Sequence, residues 1–118
     1  MTEKVEVNDL YYKDKVKALG RIIREGGLVA FPTETVYGLG ADALNARAVG
    51  SVYDAKGRPS DNPMIVHVCR ADDLKRIYDL DKLPQQNQNQ IRALTEKFWP
   101  GPLTIIGPRA ACVPDRTT

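Results

Sequence analysis

The spacing of apolar and polar positions along the chain predicts helices that alternate with short strands. Apolar residues recur every three or four positions where we expect a helix, and they run without interruption where we expect a buried strand. Asn45 is a suitable N-cap, and glycines mark the ends of two helices. The predicted helices cover residues 10–25, 46–56, 72–78 and 86–98. The predicted strands cover residues 28–31, 64–68 and 103–106, and residues 33–44 are predicted to form a loop.

This order of elements indicates an α/β (α+β) fold, because strands alternate with helices. The chain has 118 residues, which is enough for one domain. Three predicted strands make a thin sheet, and residues 109–118 show no element of their own. We therefore expect residues 1–118 to form a single domain that is a piece of something larger. Central strands left without partners favour dimerisation, strand exchange or poor solubility, so a homodimer is one of the expected outcomes.

The composition excludes several classes of protein. Hydrophobic residues make up 42% and charged residues 27%, which argues against wholesale disorder. The net charge of +2 is spread evenly along the chain, so bulk charge supplies little attraction for nucleic acid. No apolar run approaches the ~20 residues of a membrane span, so no membrane partner is expected. The charged N-terminus and the two cysteines are typical of a reduced, cytoplasmic protein without a disulfide framework.

Two polar loops, each next to a predicted buried strand, hold the candidate chemistry. Residues 32–40 offer hydroxyl groups, together with glycines that let backbone amides approach a ligand. Lys56 and Arg58 lie two residues apart at the end of a predicted helix, and this pair of cations suits a polyphosphate. The alternative is that both cations only complement the helix dipole. Asn62 follows them and is suited to a base edge or a phosphate.

Three other features bear on function: the single histidine, a glycine pattern and the possible metal ligands. His67 is the only histidine, and its side chain is expected on the strand face opposite Val66 and Val68, where it is either structural or a ligand contact. Residues 38–43 fit the dinucleotide pattern G-x-G-x-x-A, but they start seven residues after the predicted strand and no helix begins there. A Rossmann site is therefore not expected. The acidic, His and Cys residues show no cluster with metal-ligand spacing, so no metal site within the protein is predicted.

Four blocks of residues, all in the same order, resemble the YrdC-like family. They are FPTETVYGLGADA at 31–43, YDAKGRP at 53–59, NPMIVHV at 62–68 and WPGPLT at 99–104. Because the resemblance runs in one register from about residue 12 to residue 106, it is far more specific than any single motif. It implies a twisted mixed sheet, flanked by helices, around a large basic cavity.

The resemblance implies an enzyme of tRNA modification. The family condenses L-threonine, bicarbonate or CO2, and ATP with Mg²⁺ into threonylcarbamoyl-adenylate and pyrophosphate, and partner proteins then transfer the threonylcarbamoyl group to tRNA. The resemblance implies that the catalytic residues are Lys56 and Arg58, which would hold the triphosphate, and that Asn62 would also contact the nucleotide. The threonine contacts implied are Thr35 and His67, and Thr33 and Tyr37 are implied to line the same pocket.

The sequence departs from the family in lacking its later part. A strand of V-A-V-R type and the S-x-N half of the family signature are absent, and Ser60–Asn62 fits S-x-N only formally because it lies in the K-x-R loop. We therefore expect the chain to be the N-terminal half to two-thirds of a domain, with weak or no activity. One alternative is a non-catalytic module that binds double-stranded RNA or tRNA. Another is the carbamoyl-adenylate-forming domain of a hydrogenase-maturation-type protein, although zinc-finger-like cysteine pairs are absent.

Overall fold

Helices and one small antiparallel sheet make up the fold. The computed structural model describes residues 2, 4–6, 12–57, 59 and 61–118. The helices are α1 (Tyr12–Arg24), α2 (Ala46–Lys56), α3 (Leu74–Ile77) and α4 (Gln85–Phe98), and the strands are β1 (Val29–Phe31) and β2 (Gly38–Gly40). The predicted mixture of helix and strand is therefore confirmed. The chain divides into two compact units, residues 1–60 and 61–118, and its organisation as a single partial domain stays a prediction.

Helix α1 ends where its sequence predicts. The amide of Gly27 donates to the carbonyl of Ile22 at 2.8 Å, and the amide of Gly26 donates to that of Ile23 at 3.0 Å. Gly26 has φ +86°. This pair of bonds across a left-handed glycine is the Schellman motif, which satisfies carbonyls at the end of the helix. The chain can then turn directly into β1, which contacts α1.

Strands β1 and β2 form a hairpin in which Phe31 pairs with Gly38 and Val29 pairs with Gly40. The ring of Phe31 covers both glycines, and an added Cβ would lie 2.8 Å from it at Gly38 and 2.9 Å at Gly40. The prediction of a loop over residues 33–44 is therefore wrong at residues 38–40, which form β2. Glycine has a low intrinsic preference for strands, and here close packing against an aromatic ring outweighs that preference.

Helix α2 carries the hydrophobic core of the first unit. Asn45 caps it, because its side-chain oxygen accepts from the amides of Arg47 at 3.1 Å and Ala48 at 3.2 Å. Gly57 closes the helix with φ +57°, as the sequence predicts. The buried residues of this helix lie on its inward face and are Ala48, Val49, Gly50, Val52 and Tyr53.

The second unit is held together by its C-terminal residues, for which no element was predicted. The amide of Ala110 donates to the carbonyl of Ile77 at 2.8 Å, and the amide of Met64 donates to that of Thr117 at 2.9 Å. These backbone bonds join segments distant in sequence, so residues 108–117 are integral to the unit. Its buried residues are Leu74, Thr95, Val113 and Thr117.

The predicted strands at residues 64–68 and 103–106 are wrong as strands, since neither has a paired strand within the described residues. Both segments nevertheless alternate between half-buried and exposed positions. Ile65 is 63% exposed and Ile106 is 96% exposed. Both segments thus show the alternation of exposed and half-buried side chains that is expected of a strand. A ladder also needs a neighbouring strand, and no described segment supplies one.

Ion pairs in the described part of the chain lie at the surface. Several join residues three apart, such as Lys17 with Asp14 at 3.7 Å and Lys82 with Asp79 at 3.0 Å. In each described pair at least one side chain is 67% exposed or more. Such pairs contribute little to stability, because water and salt screen them.

Candidate functional site

The loop between β1 and β2 carries three of the predicted site residues: Thr33, Thr35 and Tyr37. All three are exposed, and the side chain of Tyr37 has 77% of its surface accessible. The strand pair fixes both ends of this loop, because Phe31 and Gly38 are directly opposite each other. The loop is therefore the tip of a hairpin that presents hydroxyl groups to solvent.

Hydrogen bonds within this loop converge on the hydroxyl oxygen of Thr33. The amides of Thr35 and Val36 each donate to Thr33 Oγ1 at 3.2 Å. Thr33 in turn donates to the carbonyl oxygen of Val36. The hydroxyl of Thr35 lies 3.3 Å from the same oxygen. The structure thus brings these two predicted threonines into contact, and Thr33 closes the turn.

Lys56 is the last residue of α2 and is exposed. Its ammonium group has no ion-pair partner among the residues that the structure describes. The next residue, Gly57, ends the helix in the left-handed conformation, and its amide donates to the carbonyl of Asp54 at 3.3 Å. The second predicted cation, Arg58, lies outside the described residues. Lys56 is thus a positive charge at the negative end of a helix dipole. This position is compatible both with binding a polyphosphate and with only complementing the dipole.

Asn62 and His67 belong to the second unit, and both are exposed. The ring nitrogen Nδ1 of His67 lies 3.1 Å from the carbonyl oxygen of Ile65. A carbonyl oxygen only accepts, so Nδ1 is the donor in this hydrogen bond. Exposure of His67 between the half-buried Val66 and Val68 agrees with its predicted face.

Phe31 is a residue that sequence reasoning left out of the site. Its ring fixes the two glycines that follow the loop, so it determines where the chain leaves the loop. The signal was present in the sequence as an aromatic residue at the end of one apolar run and a G-x-G pattern seven residues later. The glycines therefore serve close packing on a ring, and no cofactor phosphate is needed to explain them.

A cavity of about 630 Å³ lies in the second unit and contains none of the predicted site residues. Two ion pairs line it, Lys82 with Asp79 at 3.0 Å and Arg109 with Asp115. Each charge at its wall is therefore already neutralised by a neighbour.

Among the described residues, no group of three or more His, Cys, Asp or Glu side chains is arranged to hold a metal ion. In the same ranges, no helix has the length and apolar character needed to cross a membrane. The pKa of Tyr78 lies above its usual value of 10.0 because burial disfavours the phenolate. Its hydroxyl donates to the carbonyl of Ile105, within the second unit.

Comparison with known families identifies the chain. Residues 21–118 match the model of the Sua5/YciO/YrdC family, which is described as "Telomere recombination". The chain belongs to this family. The resemblance inferred from the four sequence blocks is therefore confirmed, as is the fold class that it implied.

Relatives within the Sua5/YciO/YrdC family are named threonylcarbamoyl-AMP synthase. That of Pyrococcus abyssi (strain GE5 / Orsay) is 43% identical over 97% of this chain and 32% of its own length. That of Bacillus subtilis (strain 168) is 45% identical over 98% of this chain and 30% of its own length. The chain thus spans about a third of the length of these relatives. They favour neither the RNA-binding module nor the hydrogenase-maturation domain.

A solved member of the Sua5/YciO/YrdC family matches the fold as well. The crystal structure of P. abyssi Sua5 complexed with L-threonine has a TM-score of 0.78 and is 42% identical. The match covers 98% of this chain and 31% of that one. The sheet and helices described above are therefore those of the family.

Proposed function

We propose that this chain takes part in forming threonylcarbamoyl-adenylate and pyrophosphate from L-threonine, bicarbonate or CO2, and ATP. The observation that carries the proposal is the match of 98% of the chain, at 42% identity, to a Sua5 structure complexed with L-threonine. The names of the relatives from P. abyssi and B. subtilis support the same activity. The product serves tRNA modification, and partner proteins of that process would transfer the threonylcarbamoyl group to tRNA in the cytoplasm.

The nucleotide half of the reaction needs positive charge and precise positioning. A carboxylate oxygen of N-carboxy-threonine attacks the α-phosphorus of ATP, a new P–O bond forms, and the bond to the departing pyrophosphate breaks. No protein nucleophile is required, and catalysis comes from orientation and charge neutralisation. We assign Lys56 and Arg58 to the triphosphate and Asn62 to the nucleotide. The ammonium of Lys56, which has no ion-pair partner in the described part of the chain, supports this role.

Mg²⁺ enters this proposal as part of the ATP substrate. Divalent cations bridge phosphate oxygens and neutralise the charge that develops on the leaving group. Lys56 and Arg58 would then add their positive charge to that of the ion in holding the triphosphate.

The threonine half of the reaction needs hydrogen-bonding groups for an amino acid. We assign Thr35 and His67 to the threonine substrate and Tyr37 to the wall of the same pocket. The exposed hydroxyl of Thr35 and the exposed ring of His67 support these roles. A hydroxyl can donate and accept, and an imidazole nitrogen that carries no proton can accept; both suit a ligand carrying an ammonium, a carboxylate and a hydroxyl group.

A product assay tests the proposal directly. The chain is incubated with ATP, Mg²⁺, L-threonine and bicarbonate, and threonylcarbamoyl-AMP is measured by mass spectrometry against a reaction without threonine. We expect weak formation of product by the unmodified chain, as befits a partial domain, and a large loss with Lys56→Gln. Lys17→Gln is the matched control, because Lys17 is an exposed helical lysine of the same unit. No product from a chain shown to be folded, or equal loss in both variants, would contradict the proposal.

A further inference from the structure

Thr33 and Thr35 look alike in the sequence, but their hydroxyl groups have different partners. A hydroxyl group has one proton to donate and two lone pairs to accept. Thr33 donates its proton to the Val36 carbonyl and accepts from the amides of Thr35 and Val36, both at 3.2 Å. The hydrogen-bonding capacity of Thr33 is therefore filled by the backbone of its own loop.

The hydroxyl of Thr35 is in the opposite situation. Among the described residues, its only hydrogen-bond partner is Thr33 Oγ1 at 3.3 Å, whose proton and lone pairs are already engaged. Thr35 therefore has a proton and lone pairs available to a ligand at the exposed tip of the hairpin.

The position of Thr35 depends on this arrangement. The β1–β2 pairing fixes the loop at Phe31 and Gly38. Between those two points the described residues have no ladder bond, and the turn is closed only by contacts to Thr33. Loss of the Thr33 hydroxyl would thus release the middle of the loop while leaving both ends in place.

We propose that Thr33 is a positioning residue, whose hydroxyl closes the loop so that the hydroxyl of Thr35 is presented to the substrate. This inference rests on the proposed function, because it takes L-threonine as the ligand of Thr35. It revises the role that the sequence suggests for Thr33, from a residue that lines the pocket to one that acts through Thr35.

The first part of the test measures amide–water exchange by NMR on the whole 118-residue chain. Rates at Thr35 and Val36 are compared in Thr33→Val, Thr33→Ser and Thr35→Val, after correction for the intrinsic rate of each sequence. We expect Thr33→Val to raise both rates about fivefold, the effect of losing one ordinary hydrogen bond. Thr33→Ser and Thr35→Val should leave the Val36 rate unchanged. Equal rates in Thr33→Val and Thr33→Ser would overturn the loop-closing role.

The second part measures binding of L-threonine to the same proteins by titration of NMR chemical shifts. We expect Thr35→Val and Thr33→Val both to weaken binding several-fold, and Thr33→Ser to restore it. Only a role through the loop predicts that serine rescues both the exchange rates and the binding. Equal binding by Thr33→Val and Thr33→Ser would overturn the link to the substrate.

The two readouts separate this inference from the proposed function. If the unmodified chain does not bind L-threonine, the proposed function fails for this chain, and so does the presentation of Thr35 to that substrate. The exchange rates still decide whether Thr33 closes the loop.

Discussion

Replacing Gly38 by alanine should weaken the β1–β2 hairpin, because the new methyl group meets the ring of Phe31. An ideal Cβ at this position lies 2.8 Å from Cζ and 2.9 Å from Cε2 of that ring. Carbon atoms in favourable contact lie roughly 3.5–4.0 Å apart, so the ring or the strand must move by about 1 Å.

The expected magnitude follows from two opposing effects. Overpacking costs about 1–3 kcal/mol, whereas exchanging glycine for alanine at a compatible backbone position gains about 0.4–1 kcal/mol through the unfolded chain. The φ of Gly38 is not positive, so the gain applies. Phe31 is only half-buried, which favours the lower half of that cost, about 1–2 kcal/mol. The net loss in the free energy of unfolding is therefore about 1 kcal/mol.

Urea unfolding followed by circular dichroism measures this loss as a lower midpoint at constant slope. The matched control repeats Gly38→Ala in a Phe31→Ala background, where no ring remains to collide. There we expect alanine to be neutral or slightly stabilising, so that the double-mutant cycle gives a coupling of about 1–2 kcal/mol between the two positions. An equal cost in both backgrounds would refute the steric explanation.

Three further predictions concern the Asn45 helix cap, the half-buried phenol of Tyr78 and the proposed phosphate contact of Lys56. Asn45→Ala should lower the free energy of unfolding, measured with urea, by about 1 kcal/mol, because the two amides that donate to the Asn45 side chain lose their acceptor. Asn45→Asp should preserve the free energy of unfolding, because a carboxylate oxygen still accepts from both amides. The pKa of Tyr78 is higher in the folded chain than its usual value of 10.0, so the folded state is stabilised by this group below pH 10.0 and loses that stability as the pH rises further. In Tyr78→Phe, the free energy of unfolding measured against pH should lack this loss. A rise from about 0.05 M to about 0.5 M NaCl should weaken ATP binding in calorimetry more for the unmodified chain than for Lys56→Gln. Equal salt dependence in the two proteins would argue against a phosphate contact by Lys56.

Local signals in the sequence were sufficient for the helices. Helix α2 was predicted to within a residue because Asn45 and Gly57 act on their own helix, through a side-chain cap and a left-handed turn. A strand depends on a partner outside its own segment, and this explains why the strand predictions were wrong. The apolar run at residues 64–68 has the pattern of a strand but no described partner, whereas the glycine-rich β2 has a poor pattern and pairs with β1.

The candidate site was predictable as far as it is made of motif residues. The sequence blocks identified the family, and the family match covers residues 21–118. The difference between Thr33 and Thr35 was not predictable, because it depends on which backbone amides face each hydroxyl. The roles of Lys56 and Asn62 stay predictions, and Arg58 lies outside the described residues.

Because the described ion pairs of this chain are exposed, ionic strength can be varied in a binding experiment with little effect on the stability of the fold. Every described pair has at least one side chain that is 67% exposed or more, so added salt removes little folding free energy. A change in ligand affinity with salt can therefore be attributed to contacts with the ligand, without a correction for unfolding. The surface charges thus allow the proposed nucleotide contacts of Lys56 to be tested by ionic strength separately from the stability of the fold.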